Sequence, residues 1–385
     1  MTQKILQLFL HSMENTHVSY LFEQTLEDLK KKMVFIAGPR QTGKTSLALH
    51  IASKKNYLNW DIDADRERIL KREWPSTGKI LALDEIHKFR NWRNLLKGLY
   101  DDWKGEKSIL VTGSAKLDSY RRGGDSLQGR YHLLRMHPLS VAELKISKES
   151  DWKSLLLLGG FPEPFFSQSE TTTKRWRREY RTRLIKEEIT SLENILDLGR
   201  MELLALRLPE LVASPLSING LREDLQTSHR TVAHYLDILE KLYFIFRVPP
   251  FGAPKLRAVK KEQKHYHFDW GLVTDPAKRF ENLVASHLLK WINWEEDVKG
   301  EEIELRYFRD IDGREVDFII LKDSKPVICV ECKWDDRDID PSLHYFKKKF
   351  PEIEAWQISA IGKKDYVSTK GIRVSPAKNF LQRFV

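Results

Sequence analysis

Through the first 150 residues, short and nearly continuous apolar runs alternate with stretches of helical period. Met33 to Ala37, Tyr57 to Trp60, Ile80 to Leu83 and Ser108 to Thr112 have the length and composition of strands buried on both faces. Helical patterns separate them, which predicts a parallel sheet flanked by helices. The pattern then changes. Leu155 to Pro164 ends a helical segment in a turn, and apolar periodicity from Met201 to Ala213 continues a helical region. Leu216 to Asn219 leads into a helix over 220–226, a turn at Thr227-Ser228, a longer helix over 229–242 and a strand over 243–248. That order predicts a helix-turn-helix followed by a wing. From Arg279 an amphipathic helix runs to Leu289 and precedes three strand candidates, around Leu305 to Arg309, Glu315 to Leu321 and Pro326 to Lys333. These shifts predict three domains, 1–150, 151–275 and 276–385, in keeping with about 100 to 200 residues per domain.

The first apolar run ends in Gly38-Pro39-Arg40-Gln41-Thr42-Gly43-Lys44-Thr45-Ser46, which fits the phosphate-loop pattern G-x-x-x-x-G-K-[ST]. The glycines let backbone N–H groups turn toward phosphates, Lys44 reaches the β and γ oxygens, and Thr45 offers a hydroxyl to Mg²⁺. The following helix adds its N-terminal dipole. All nine residues are therefore candidates for binding ATP or GTP. The run Lys79 to Glu85 delivers Asp84 to the end of a buried strand, where it can hold the Mg²⁺ shell, with Glu85 beside it to polarise water. A solvated acidic turn is the alternative. The fourth strand ends Val111-Thr112-Gly113-Ser114, so Ser114, with Thr112 as second choice, is a candidate γ-phosphate sensor. The Gly- and Arg-rich loop 121–130 ends in Arg130, which can either reach a neighbouring subunit's nucleotide or pair within its own domain.

Composition narrows the class. With 41% hydrophobic and 31% charged residues the chain reads as soluble and globular, and no apolar run nears the roughly 18 residues that span a bilayer. The first residues lack a secretory pattern, so the expected location is the cytoplasm without membrane attachment. Cys329 and Cys332, the two cysteines, offer no four-ligand zinc set. The net charge of +10 and pI near 9.3 come from clusters. Lys174, Arg175, Arg177, Arg178, Arg181, Arg183 and Lys186 crowd one helical stretch, and Lys255, Arg257, Lys260, Lys261 and Lys264 crowd a predicted loop. Clustered cations suit phosphate backbones, whose binding releases counterions; a solvated charged face is the alternative. The helix after Thr227-Ser228 presents His229, Arg230, Thr231 and His234 near its start, where major-groove readers place base contacts, though winged helices also serve as lids. Candidate DNA contacts are Arg177, Arg178, Arg181, Arg230, Lys260 and Lys261.

The C-terminal segment carries a charged order of its own: Glu281 on the helix, Asp317 within Glu315 to Ile320, and Glu331-Cys332-Lys333, whose alternation puts Glu331 and Lys333 on one strand face. Such a set can bind Mg²⁺, chiefly through Asp317 and Glu331, and activate water for phosphodiester cleavage, with Lys333 at the scissile phosphate. A salt-bridged sheet edge is the alternative.

Taken together, Gly38 to Ser46, Leu83-Asp84-Glu85, Val111 to Ser114, Gly129-Arg130, Pro138-Leu139-Ser140, Gly159-Gly160-Phe161-Pro162 and Phe268-Asp269-Trp270-Gly271-Leu272 make nearly the whole chain resemble prokaryotic AAA+ ATPases fused to a C-terminal PD-(D/E)xK nuclease-like domain. The resemblance implies an α/β architecture: a P-loop AAA+ parallel-sheet core, a helical and winged-helix middle, and a restriction-endonuclease-like C-terminal fold. It implies ATPase roles for Lys44, Thr45, Asp84 and Glu85, a finger role for Arg130, and a nuclease set of Glu281, Asp317, Glu331 and Lys333. Asp317 lacks the preceding proline common in such folds, and no single sensor arginine stands out among Arg175, Arg177, Arg178 and Arg181. The expected function is an ATP- and Mg²⁺-dependent, ring-forming DNA-processing protein, a homo-oligomer with a hexamer among the candidates, acting on duplex or branched DNA. A nucleotide-controlled regulatory switch and an ATP-gated defence nuclease are the alternatives.

Overall fold

The computed structural model of the chain describes residues 19–103, 105–113, 117, 127–189, 197–252 and 263–385. Ser114, most of the Gly- and Arg-rich loop before Arg130, and Lys255, Arg257, Lys260 and Lys261 lie outside the described residues.

The four apolar runs form strands β1 (Met33–Ala37), β2 (Tyr57–Asn59), β3 (Ile80–Asp84) and β4 (Ser108–Thr112), joined by β5 (Tyr131–Arg135) into a parallel sheet of order β2-β3-β4-β1-β5. β5 was not foreseen, since Tyr131-His132-Leu133-Leu134-Arg135 is half polar; it is an edge strand, and only one side chain is fully buried. Helix α1 (Lys44–Ala52) follows β1, and α2 (Trp92–Trp103) buries Trp92, Leu96 and Leu99 against the sheet. Distinct apolar clusters cover the two faces, one around Phe35, Leu83 and Val111, the other around Ile36, Ala48 and Leu110.

Beyond this sheet, α3 (Glu149–Leu158) and α4 (Glu170–Arg183) lead to α5 (Ile218–Asp224) and α6 (His229–Lys241). Ser217 and Ser228 cap the last two through their hydroxyls, which fixes the turn between them. β6 (Ile245–Val248) pairs antiparallel with β7 (Lys264–His267). The sequence places Lys264 in a basic loop; the structure places it at the start of β7, where all four residues are buried.

The long helix α7 (Pro276–Trp294) introduces a six-stranded sheet, β12-β13-β11-β10-β9-β8. β8 (Ile303–Arg309), β9 (Glu315–Lys322) and β10 (Lys325–Lys333) form an antiparallel meander, while β11 (Glu354–Ser359) and β13 (Ile372–Pro376) add in parallel and β12 (Tyr366–Val367) closes the edge. Helix α8 (Pro341–Lys349) crosses between β10 and β11. One continuous apolar core runs from Val141 through Phe268 to Phe384, so the boundary expected near residue 275 falls inside a shared core.

Two of the sequence motifs are the halves of one joint within that core. Trp270 donates its indole N–H to the Leu155 carbonyl at 2.9 Å, and Arg177 donates to Asp269 at 2.8 Å and to the Leu158 carbonyl at 2.9 Å. A Cβ on Gly160 would overlap the Trp270 ring, and one on Gly271 would overlap the Arg177 guanidinium. The glycines of Gly159-Gly160 and Trp270-Gly271 are thus explained by close approach. Arg177, expected on a DNA-facing row, is turned inward as a structural cation.

Helix α7 also keys the C-terminal sheet to the first one. Lys290 is fully buried and donates to Glu143 at 2.6 Å, to Ser140 at 3.1 Å and to the Pro138 carbonyl at 3.1 Å. The Val141 amide donates to His287 Nε2 at 3.1 Å while Nδ1 faces the Leu283 carbonyl at 2.8 Å, and burial pushes that imidazole down to about 3, leaving it neutral. Asn293 meets His137 at 2.8 Å, and beyond the helix end Asp297 and Glu296 pair with Arg135 of β5 at 2.7 Å each. No described helix is long and apolar enough to cross a membrane.

Candidate functional site

The phosphate loop leaves β1 at Gly38, whose φ is +149° and whose missing Cβ would overlap the Met136 carbonyl oxygen. A side chain there would push the loop off β5. Gln41 and Gly43 are also left-handed, with φ of 62° and 101°, and Gly43 starts α1 without any side-chain cap. The uncapped N-terminus leaves its amide donors for an anion. Lys44 is buried and folds back to donate to the Gly38 carbonyl at 3.0 Å and to Pro39. Burial pushes its ammonium down to about 8, against the pull of Glu85 and Asp84. Thr42 braces the loop through Pro39 at 2.9 Å, Arg40 and Ser46 are half-buried, and Gln41 and Thr45 face solvent.

Asp84 ends β3 beside this loop, and three hydroxyls donate to it: Thr45 at 2.8 Å, Tyr57 at 2.6 Å and Thr112 at 2.7 Å. The threonine and aspartate expected to share Mg²⁺ are therefore in direct contact. Tyr57 was not foreseen as a site residue; it lay at the start of a predicted strand, and its parallel register, Tyr57 opposite Ala82 and Asn59 opposite Asp84, brings it alongside. Asn59 donates back to the Tyr57 hydroxyl at 3.1 Å. Glu85 holds a left-handed φ of 57°, unusual for a non-glycine, and its carboxylate lies 3.2 Å from Lys88 and 3.6 Å from His87.

Arg130 lies at the other end of the sheet. Met33 pairs with Tyr131 and Ala37 with Arg135, so Arg130 precedes a strand whose far end adjoins the phosphate loop. Five strand residues, roughly 17 Å, separate it from its own loop. It pairs with Asp101 of α2 at 3.0 Å on the surface.

The second constellation is brought together as the charge order implied, with one addition. Glu331 and Lys333 share a face of β10 and meet at 2.8 Å; Lys333 also meets Asp340, the N-cap of α8, at 2.8 Å. Asp317 accepts from the Cys332 amide at 2.9 Å, and Tyr266 donates to Glu281 at 2.7 Å. Lys264 enters from β7, its Nζ lying 2.6 Å from Glu315, 3.2 Å from Glu281 and 3.6 Å from Asp317. Burial pushes Glu281 up to about 7 and raises Asp317 and Glu331 as well, the Asp317 charge adding to the rise at Glu281 and Glu331. Among the described residues no group of three or more His, Cys, Asp or Glu is arranged to hold a metal ion. Lys264 occupies the Glu281 and Asp317 side of the set and Lys333 the Glu331 side, so a metal on Asp317 and Glu331, as expected from sequence, would have to compete with these two ammoniums. Cys329 and Cys332 are free thiols in the same sheet.

Of the basic positions, Lys174, Arg175, Arg178 and Arg183 of α4 are exposed and Arg181 is half-buried, while Thr173, Trp176 and Tyr180 form the buried face. His229 and Arg230 are exposed at the start of α6.

Comparison with known proteins agrees with the first site. Residues 30–145 match the family described as "AAA domain", 149–281 match "Domain of unknown function (DUF8612)" and 278–380 match "Domain of unknown function (DUF4143)". An uncharacterized protein of Mycobacterium tuberculosis is 24% identical over 245 residues, 63% of this chain and 55% of that one; the chain thus spans about half the length of this relative. An uncharacterized protein of Haemophilus influenzae is 24% identical over 74% of this chain and 79% of its own. Among solved structures, Thermotoga maritima RuvB aligns at 18% identity over 64% of this chain and 88% of its own, with a TM-score of 0.27. The Aeropyrum pernix ORC1 protein in complex with DNA aligns at 14% identity over 71% and 94%, with a TM-score of 0.32. The AAA domain match falls on the stretch that carries the phosphate loop and Asp84.

Proposed function

We propose that this protein is an ATP-hydrolysing, DNA-acting assembly in which the N-terminal domain turns over ATP and the basic helices and C-terminal sheet engage DNA. The observation that carries the ATPase reading is the convergence of Lys44, Thr45, Asp84 and Glu85 where β1 and β3 end. Lys44 would reach the β and γ phosphates, and Thr45 and Asp84 would hold Mg²⁺, which would supply charge neutralisation there. Glu85 orients water, and Lys88 beside it restrains the carboxylate until substrate arrives. Arg130 is too far from its own loop to act there, which supports an oligomer in which it completes a neighbour's site.

The DNA reading rests on the exposed cations of α4 and the start of α6, together with the order of the C-terminal sheet, an antiparallel meander extended by parallel strands around Glu281, Asp317, Glu331 and Lys333. That arrangement supports a restriction-endonuclease-like fold used for recognition. The switch reading has an observation of its own: α7 joins the ATPase sheet to the carboxylate cluster through Lys290, His287, Asn293 and Glu281, a route by which nucleotide state can bias the C-terminal domain.

DNA binding should fall linearly on a log–log plot against salt, losing a slope of about 0.9 for each phosphate contact removed. Arg175→Glu combined with Arg178→Glu should weaken binding equally across sequences, since phosphate contacts carry no base information. Filter binding over a salt series measures both. Affinity that ignores salt and survives the charge reversals would overturn the DNA reading of α4.

A further inference from the structure

Lys264 is the least expected charge in the molecule. It lies in a strand whose other residues are His265, Tyr266 and His267, its side chain is 1% exposed, and its ammonium has three carboxylates around it. An ammonium donates and never accepts, and Glu315 and Glu281 lie within hydrogen-bond distance of it while the Asp317 carboxylate adds its charge at 3.6 Å. The Tyr307 ring lies 5.5 Å away and encloses the same space.

The cluster nevertheless remains rich in negative charge. Glu281, Glu315, Asp317, Glu331 and Asp340 face Lys264 and Lys333, with Arg309 reaching only the outer side of Glu315 at 3.8 Å. Glu331 is 6% exposed, and its Oε2 has no hydrogen-bond partner among the described residues. That oxygen belongs to the Lys333 side of the cluster, since Glu331 pairs with Lys333 and the carboxylates within reach of Lys264 are Glu281, Glu315 and Asp317.

We infer that Lys264 is the resident cation of the C-terminal carboxylate cluster, and that its ammonium and a divalent metal ion are mutually exclusive occupants of the position between Glu281, Glu315 and Asp317. A metal ion would need the Glu281 and Asp317 oxygens that face the ammonium, and two positive centres cannot share them. That position is therefore already filled from within, by a residue of the preceding ribbon. A divalent ion enters only where Lys264 is absent or withdrawn. Hard oxygen donors make Mg²⁺ or Mn²⁺ the class of ion such a vacated position takes.

The test uses the full-length protein without nucleotide or DNA and Mn²⁺ alone as probe, read by titration calorimetry and by the loss of free Mn²⁺ spin-resonance signal. It is independent of any DNA activity. Wild type and Asp317→Asn should take up Mn²⁺ identically, because the cluster contributes no site. Lys264→Met should gain a saturable site, and adding Asp317→Asn should remove it. If Lys264→Met lacks a native circular-dichroism spectrum in chelator, recovery of that spectrum and an upward shift in melting on adding Mn²⁺ report the same gain. The charge-balanced pair Lys264→Met with Glu315→Gln, which removes one charge of each sign and leaves the Glu281 and Asp317 carboxylates, should also bind Mn²⁺. Uptake by wild type that Asp317→Asn abolishes would overturn the inference. So would a folded charge-balanced variant that binds none, or one that stays unfolded with and without Mn²⁺, since the ammonium would then have a role no metal can take.

Discussion

Lys44→Ala is expected to abolish ATP turnover, lowering kcat/KM by about a hundredfold or more on the scale of a lost transition-state donor. In the proposed reading the buried ammonium meets the phosphates, and its two loop carbonyl partners hold it beside the loop. Glu85→Gln should separate binding from chemistry: nucleotide binds, hydrolysis stalls, and the oligomer is trapped. Mixing Lys44→Ala with Arg130→Ala adds a second readout. If Arg130 works across a boundary, some mixed interfaces regain an intact loop and an intact arginine, and turnover returns above that of either variant. Steady-state phosphate release measures all of these; parental turnover by Lys44→Ala would remove the loop from the account, and no recovery at any ratio in confirmed mixed assemblies would remove Arg130.

Lys290→Met is expected to have the largest effect on stability of any exchange outside the two sites. Its side chain and that of Glu143 are 1% and 8% exposed, and deleting the cation leaves a buried carboxylate without its partner, a loss of about 3–5 kcal/mol. Burial lowers the Lys290 pKa while Glu143 opposes that shift, which is the signature of a charge held in place by its partner. The Tyr20 ring, 4.0 Å from the ammonium, loses its contact as well. Thermal melting should fall by roughly 6 °C or more. Adding Glu143→Leu should recover much of the loss, because removing both charges avoids the unpaired one. An unchanged melting curve for Lys290→Met would mean that α7 does not key the two sheets together.

The parts legible in the sequence are those in which chemistry is local. The phosphate loop, Asp84-Glu85 and the first four strands each announce themselves within a few residues, because a loop that cradles phosphate and a strand buried on both faces tolerate few residue types. Glu331 and Lys333 could be placed on one face from strand alternation alone. What escaped depends on contacts between distant segments. β5 is an edge strand with half-polar composition, and Tyr57 reaches Asp84 only through strand register. Lys264 looked like the last member of a basic loop, since a lysine's burial is decided by carboxylates on α7 and β9 that lie 17 and more residues away. Arg177 was misplaced for the same reason: its partner Asp269 is 92 residues on. Helical period does show Thr173, Trp176 and Tyr180 as an inward stripe, and Arg177, next to Trp176, borders it.

The proposed coupling of ATP turnover to DNA is measured by steady-state ATP hydrolysis with and without duplex and four-way-junction DNA at low salt. DNA should raise the rate several-fold, rising salt should remove the stimulation, and Arg175→Glu with Arg178→Glu should remove it while leaving the DNA-free rate intact. Equal rates with and without DNA, in protein that hydrolyses ATP, would contradict the coupling.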